Sequence, residues 1–93
     1  MDEEKLISDM YLAAAILAYD GDLVGIDRSD IRRQQFKFTG CVNVIYVLDQ
    51  NNVAKLINPS LEEIETKFIA QTLMFPPNYP DALRRIKSAI HTR

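Results

Sequence analysis

The sequence predicts an α+β domain in which a small, mainly antiparallel sheet of two to four strands packs against about three helices. Three observations support this class: an apolar, alanine-rich run at residues 11–19, β-forming segments within residues 23–57, and two amphipathic patterns that begin after Pro59 and near Pro80. The chain has 93 residues, of which 47% are hydrophobic and 26% charged. This size and composition predict one folded domain spanning residues 1–93.

The first helix is predicted over residues 11–19, which are all apolar and have high helix propensity. Ser8 and Asp9 precede this run as candidate N-caps, and Gly21 follows it as the expected left-handed residue at the helix end. The alanines of the run let a neighbouring sheet or helix approach closely. We therefore expect this helix to lie across the core or within a subunit interface, and we expect residues 1–6 to fray.

Two β-rich segments follow the glycine. Residues 23–26 and 35–39 are predicted to pair as an antiparallel hairpin, because turn-forming residues lie between them. Phe36 and Phe38 fall on one face of the second strand, and Lys37 falls on the other.

A third β-rich segment, residues 42–48, is apolar at the positions of both faces, which predicts a strand covered on both sides. A helix is the alternative here, and three valines and an isoleucine argue against it. Residues 53–57 are a candidate return strand. The pattern leaves open whether residues 42–57 form a hairpin.

Two further helices are predicted in the last third of the chain. Ser60 and Glu63 have the spacing of a capping box, so a helix begins there and continues to about Thr72. Residues 73–75 are expected to be extended, because two prolines follow them. The last helix starts near Pro80 and buries the apolar residues Tyr79, Leu83, Ile86 and Ile90.

The charge and cysteine content indicate where in the cell the protein is located. Net charge is −2, with six acidic residues against one lysine in residues 1–22 and a basic C-terminal tip. Cys41 is the only cysteine, so no internal disulfide forms, and the thiol favours a reducing compartment. No apolar run approaches the roughly 18 residues of a membrane span, and the acidic start lacks the positive leader of a signal peptide. We expect a cytoplasmic protein with no membrane partner.

No motif predicts an enzyme. The chain has no Gly-rich phosphate loop, nucleophile elbow or dinucleotide fingerprint, so no catalytic residue, metal or cofactor is assigned. Cys41 is interpreted as a small buried hydrophobe, and His91 is expected to interact with the last carbonyls of its helix. The spacing of Asp27, Asp30 and Asp49 fits no metal-binding loop, and each residue is interpreted as part of a turn.

Two features predict a protein interface. Leu73, Met74 and Phe75 precede two prolines and cannot all point into so small a core. The pair of strands around Tyr46 is expected to present an unpaired edge. Either feature would let the chain form a homodimer or cover a groove on another protein. The alternative is that these residues close the domain's own core.

Basic residues support an alternative function, which is nucleic-acid binding. If the loop between the first two strands lies near the last helix, arginines and a lysine from both would form one patch. The net charge of −2 and the acidic N-terminal part argue against this function. The residues of this candidate patch are Arg28, Arg32, Arg33, Arg84, Arg85 and Lys87.

Three motifs are similar to those of a known family. They are residues 9–14 (DMYLAA) with Gly21, residues 36–38 (FKF) and residues 79–88 (YPDALRRIKS). With them the chain resembles a family of small uncharacterised domains of phages, prophages and bacteria, in which an LAA helix is followed by a β-hairpin, a connecting helix and a closing helix. The resemblance implies an α+β fold and an accessory protein that binds a host or viral protein, for instance to block a host defence. The chain departs from this family between residues 41 and 58, where a β-rich segment replaces a short connector.

Overall fold

The computed structural model describes residues 4–29, 34–39 and 42–91, and it confirms the α+β class. Within these residues there are three helices and five strands, and the strands form two antiparallel sheets rather than one. In chain order the elements are β1 (Glu4–Ile7), α1 (Met10–Ala18), β2 (Asp22–Asp27), β3 (Gln35–Thr39), β4 (Val44–Asp49), β5 (Asn52–Ile57), α2 (Leu61–Ile69) and α3 (Tyr79–His91).

The first sheet has the strand order β1-β3-β2. The predicted hairpin is confirmed: β2 and β3 pair antiparallel, and Phe36 and Phe38 are both buried on one face of β3. The expectation that residues 1–6 fray is wrong for residues 4–6. These residues belong to β1, which pairs with the other side of β3 and buries Ile7.

Helix α1 lies inside the core, as its alanines predict. Asp9 caps it, because its carboxylate accepts hydrogen bonds from the backbone N–H groups of Tyr11 (2.8 Å) and Leu12 (3.2 Å). The helix packs against α3, α2 and β1, and Ala13, Ala14 and Ala15 have no solvent-exposed surface. Small side chains on several faces therefore allow the surrounding elements to approach the helix closely.

The end of α1 differs from the prediction. The left-handed residue is Asp20 (φ 67°), and the backbone N–H groups of Asp20 and Gly21 donate to the carbonyls of Leu17 and Ile16, in a Schellman motif. Gly21 is needed for a different reason. A Cβ atom at position 21 would lie 2.7 Å from the carbonyl oxygen of Ile16, so the requirement is for space and not for a left-handed backbone.

The second sheet is a hairpin of β4 and β5. Gln50 and Asn51 connect the strands, and both have positive φ values (49° and 71°), as in a type I′ turn. This excludes the helix alternative for residues 42–48 and confirms the return strand. The prediction of a strand covered on both sides is wrong: Ile45 and Val47 are buried, but the opposite face of β4 is exposed, because the core lies on one side of the hairpin only.

Helix α2 begins with the predicted capping box, in which the Ser60 hydroxyl accepts from the Glu63 N–H and the Glu63 carboxylate accepts from the Ser60 N–H. The helix ends at Ile69 and not near Thr72. A second Schellman motif, with Gln71 in the left-handed region (φ 62°), stops it there. Helix α3 begins at Tyr79, close to the predicted start at Pro80.

Candidate functional site

Three of the four predicted interface residues, Tyr46, Leu73 and Met74, lie on β4 or beside one of its edges. Residues 72–74 run beside this strand: the Leu48 N–H donates to the Thr72 carbonyl (2.8 Å), and the Met74 N–H donates to the Tyr46 carbonyl (2.9 Å). The edge of β4 beside Tyr46 is therefore covered by the chain itself, and the unpaired edge expected of this strand pair is, among the described strands, the outer edge of β5. Leu73 forms a bridge with Val47 and is 7% exposed, so as an interface candidate it is wrong: it belongs to the core.

The Tyr19 side chain fixes this edge to the end of α1. Its hydroxyl accepts a hydrogen bond from the Tyr46 N–H (3.3 Å) and lies within hydrogen-bond distance of the carbonyl oxygens of Met74 and Tyr46. Burial raises the pKa of Tyr19, and the hydrogen bond with the Tyr46 backbone opposes this shift in part. Burial likewise raises the pKa of Tyr79. The neutral phenols are thus the forms that the folded chain favours.

These two tyrosines predict a loss of stability at alkaline pH. An unfolded tyrosine ionises near about pH 10, and a raised pKa in the folded state means that the fold holds the proton above that pH. The free energy of unfolding should therefore fall as pH rises from about 10 through the folded-state pKa. In Tyr19→Phe, urea unfolding should show a shallower fall than the wild type, together with a stability lower by about 1 kcal/mol at neutral pH. An unchanged alkaline slope would contradict this explanation.

The outward face of the β4–β5 hairpin is apolar and exposed. Its register pairs Val44 with Ile57, Tyr46 with Lys55 and Leu48 with Val53. Apart from the half-buried Val44, the exposed fractions of the apolar residues are 40% for Tyr46, 49% for Leu48, 58% for Val53 and 62% for Ile57. We call these six residues the outer hairpin face. Lys55, at its centre, is the single charged residue among them.

Within the part of the chain that the structure describes, the outer edge of β5 is unpaired. The N–H groups of Tyr46 and Leu48 point away from β5, because they bond with Tyr19 and Thr72. In an antiparallel pair of strands, facing residues alternate along the strands. The backbone N–H and C=O groups of one facing pair bond to each other, and those of the next pair point outward, away from the partner strand. Lys55 and Val53 face Tyr46 and Leu48, so their backbone N–H and C=O groups point away from β4. The same holds for Ile57, two residues after Lys55. Among the described strands, β4 alone pairs with β5.

A second apolar surface, which forms a groove, lies at the end of α2. Phe75 packs edge-on against Phe68, with ring centroids 6.4 Å apart. It also packs against Tyr79 in a tilted arrangement, with ring centroids 4.6 Å apart. Phe75 is 50% exposed and Ile69 is 72% exposed. Together with Phe68, Gln71 and Leu73, they line a groove of about 380 Å³. Of the predicted interface residues, Phe75 and Tyr46 thus reach the surface, while Met74 is half-buried.

Sequence reasoning missed Leu48, Val53 and Ile57 as surface residues. The turn at Gln50–Asn51 fixes the register and so places Leu48 opposite Val53 on one face, but it does not show whether that face is exposed.

The candidate basic residues divide by location: one lies just after β2, three lie on α3, and two lie outside the described residues. Arg28 donates to the carbonyls of Ala89 (2.8 Å) and Ile90 (3.4 Å), so the start of the loop does lie beside the end of α3. Arg84 pairs with Asp81 (3.0 Å) on the solvent side of that helix. Arg85 and Lys87 are exposed on the same helix. Arg32 and Arg33 lie outside the described residues, as do Asp30 and Cys41.

Asp27 has the predicted turn role. Its carboxylate accepts a hydrogen bond from the Ser29 N–H (2.9 Å), and hydrogen bonds from Ser29 lower the pKa of Asp27. Across residues 4–29, 34–39 and 42–91, no three His, Cys, Asp or Glu side chains are grouped closely enough to hold a metal ion.

The comparisons with known proteins give no relative. No family model, curated protein or solved structure matches the chain. The resemblance to the phage and bacterial domains therefore stays a prediction. In the described part of the chain, none of the helices has the length and apolar character that crossing a membrane requires.

Proposed function

We propose that this chain is a non-enzymatic protein-interaction module that binds a partner protein through the outer hairpin face. One observation carries the proposal: four apolar side chains, each at least 40% exposed, lie together on one face of a two-stranded sheet. Contiguous exposed apolar patches are uncommon on monomeric proteins and are typical of interaction sites. Covering this face removes apolar surface from water, which favours association.

The hairpin is well placed for this role. Its inner face carries Ile45 and Val47, which anchor it in the core, and the Tyr19 hydroxyl holds its covered edge. The outer hairpin face is thus presented on a fixed support, so binding does not have to order it first. In the phage or prophage setting that the resemblance implies, the partner would be a host or viral protein, and inhibition of a host defence is one role that such binding would serve.

The test compares immobilised variants as bait in a bacterial extract. Val53→Lys and Leu48→Lys place a charge on the outer hairpin face. Val24→Lys is the matched control, because Val24 is a similarly exposed valine (49%) on a strand of the other sheet. We expect at least one protein to be retained by the wild type and by Val24→Lys but not by the other two variants, all of which should be folded by circular dichroism. If no retained protein shows this pattern, the proposal is wrong.

Nucleic-acid binding is the second candidate, because Arg28 lies beside the last turn of a helix that exposes further basic residues. The acidic net charge opposes it. We expect no binding to labelled duplex or single strand at about 50 mM salt, where phosphate contacts are still strong. Binding at that concentration that weakens steeply with added salt would favour this candidate over the first.

A further inference from the structure

The open edge of β5 points to the form that the partner takes. We infer that an extended segment of the partner protein adds to β5 as a further strand, and that this segment carries an acidic residue opposite Lys55 with apolar residues on either side. The inference rests on the proposed function and specifies its ligand. Strand addition to an exposed sheet edge is a common way in which domains bind peptides.

The backbone of β5 supplies the affinity in this arrangement. Val53, Lys55 and Ile57 turn their N–H and C=O groups away from β4, and no described element bonds to them. An added strand would satisfy these groups in an unbroken ladder and turn the hairpin into a three-stranded sheet. Val53 and Ile57 are 58% and 62% exposed, so the edge is also accessible to a strand of another chain.

The side chains of β5 supply the specificity. On the outer hairpin face, an added strand would place three side chains directly beside Val53, Lys55 and Ile57. Apolar residues fit beside the valine and the isoleucine, and a carboxylate fits beside the lysine, because opposite charges on neighbouring strands attract. On the inner side, Ala54 and Leu56 are already half-buried against the core, and small apolar residues beside them would extend it.

A second copy of this chain fits the edge less well. When two β5 strands pair antiparallel through their open edges, the residues that bond across the pair come from Val53, Lys55 and Ile57 on both sides. Depending on the register, Lys55 faces Val53, Ile57 or another Lys55, or it lies opposite Asn51 or Pro59 just beyond the end of the second β5, and none of these residues is acidic. Charged residues on edge strands, lysine above all, also act against pairing between identical edges. The charge pattern thus favours a different protein as occupant.

The experiment uses two capped heptapeptides, Thr-Val-Thr-Glu-Thr-Val-Thr and the same peptide with lysine in place of glutamate. Each is titrated into the isotope-labelled wild-type chain and into Lys55→Glu, and binding is followed through the backbone amide resonances of β5. We expect the glutamate peptide to bind the wild type about two- to fivefold more tightly than the lysine peptide, and we expect this order to reverse in Lys55→Glu. Val53→Pro, which removes an outward N–H without interrupting the ladder to β4, should weaken binding about fivefold.

The results that would overturn this inference differ from those that would overturn the proposed function. The inference is wrong if neither peptide shifts the β5 resonances, or if both bind the two proteins equally. A dimer in sedimentation velocity that Val53→Pro dissociates would identify a second copy as the occupant and would also overturn it. In each of these cases the proposed function stands as long as a captured protein depends on Leu48 and Val53 but not on Val24.

Discussion

Replacing Phe38 with alanine should lower the free energy of unfolding by about 3–5 kcal/mol, which is the usual cost of removing a buried aromatic ring. Phe38 lies on the central strand of the first sheet, has no exposed surface, and belongs to the same buried cluster as the alanines of α1. A domain of this size has only about 5–15 kcal/mol of stability, so the variant should be marginally folded. Urea unfolding followed by circular dichroism measures the difference.

Phe75→Ala is the matched control, because it removes the same side chain from a site that is 50% exposed. Phe75 is half-exposed and packs against the rings of Phe68 and Tyr79, so we expect a loss of about 1 kcal/mol. Equal losses in the two variants would show that the first sheet does not form the packed centre of the domain.

Gly21→Ala should have the second largest effect, a loss of about 1–3 kcal/mol through overpacking. The added methyl group would lie 2.7 Å from the Ile16 carbonyl oxygen, and it would lie still closer to the Ile16 side chain. The backbone at this point is fixed by the hydrogen bond from the Gly21 N–H to the same carbonyl (2.8 Å), so the methyl group cannot be accommodated without moving the end of α1. Thermal or urea unfolding measures the loss.

Gly25→Ala provides the comparison for this substitution. Gly25 lies in β2, and nothing approaches within 4 Å of the position that its Cβ would occupy. Alanine there should leave stability unchanged or raise it by a few tenths of a kcal/mol, since glycine is unfavourable in a strand. If both alanine variants lose the same stability, the effect at position 21 arises from something other than the contact with Ile16.

Local patterns in the sequence predicted local structure well. The capping box at Ser60 and Glu63 and the alternation of Phe36 and Phe38 each depend on neighbours within a few residues, and the structure confirms them. The residue that ends α1 was predicted wrongly, because glycine is the usual left-handed residue but aspartate also adopts that conformation.

The exposed side of β4 was not predictable from the same patterns. A strand that is apolar on both faces has the same sequence whether it is covered on both sides or exposes one side for a partner. Only the position of the core, which lies toward Ile45 and Val47, decides between these cases. The sequence therefore predicts the candidate site in part: Tyr46 and Phe75 are exposed, as an interface requires, whereas Leu73 belongs to the core.

The contrast between α1 and β5 has a consequence for how the domain can diverge. Six of the nine residues of α1 are buried, so a change of size or polarity at any of these six positions should cost stability. Val53, Lys55 and Ile57 are exposed and contribute little to the interior, so replacing them should leave the scaffold intact. If β5 binds a strand as we propose, substitutions at these three alternating positions would change the partner without unfolding the domain.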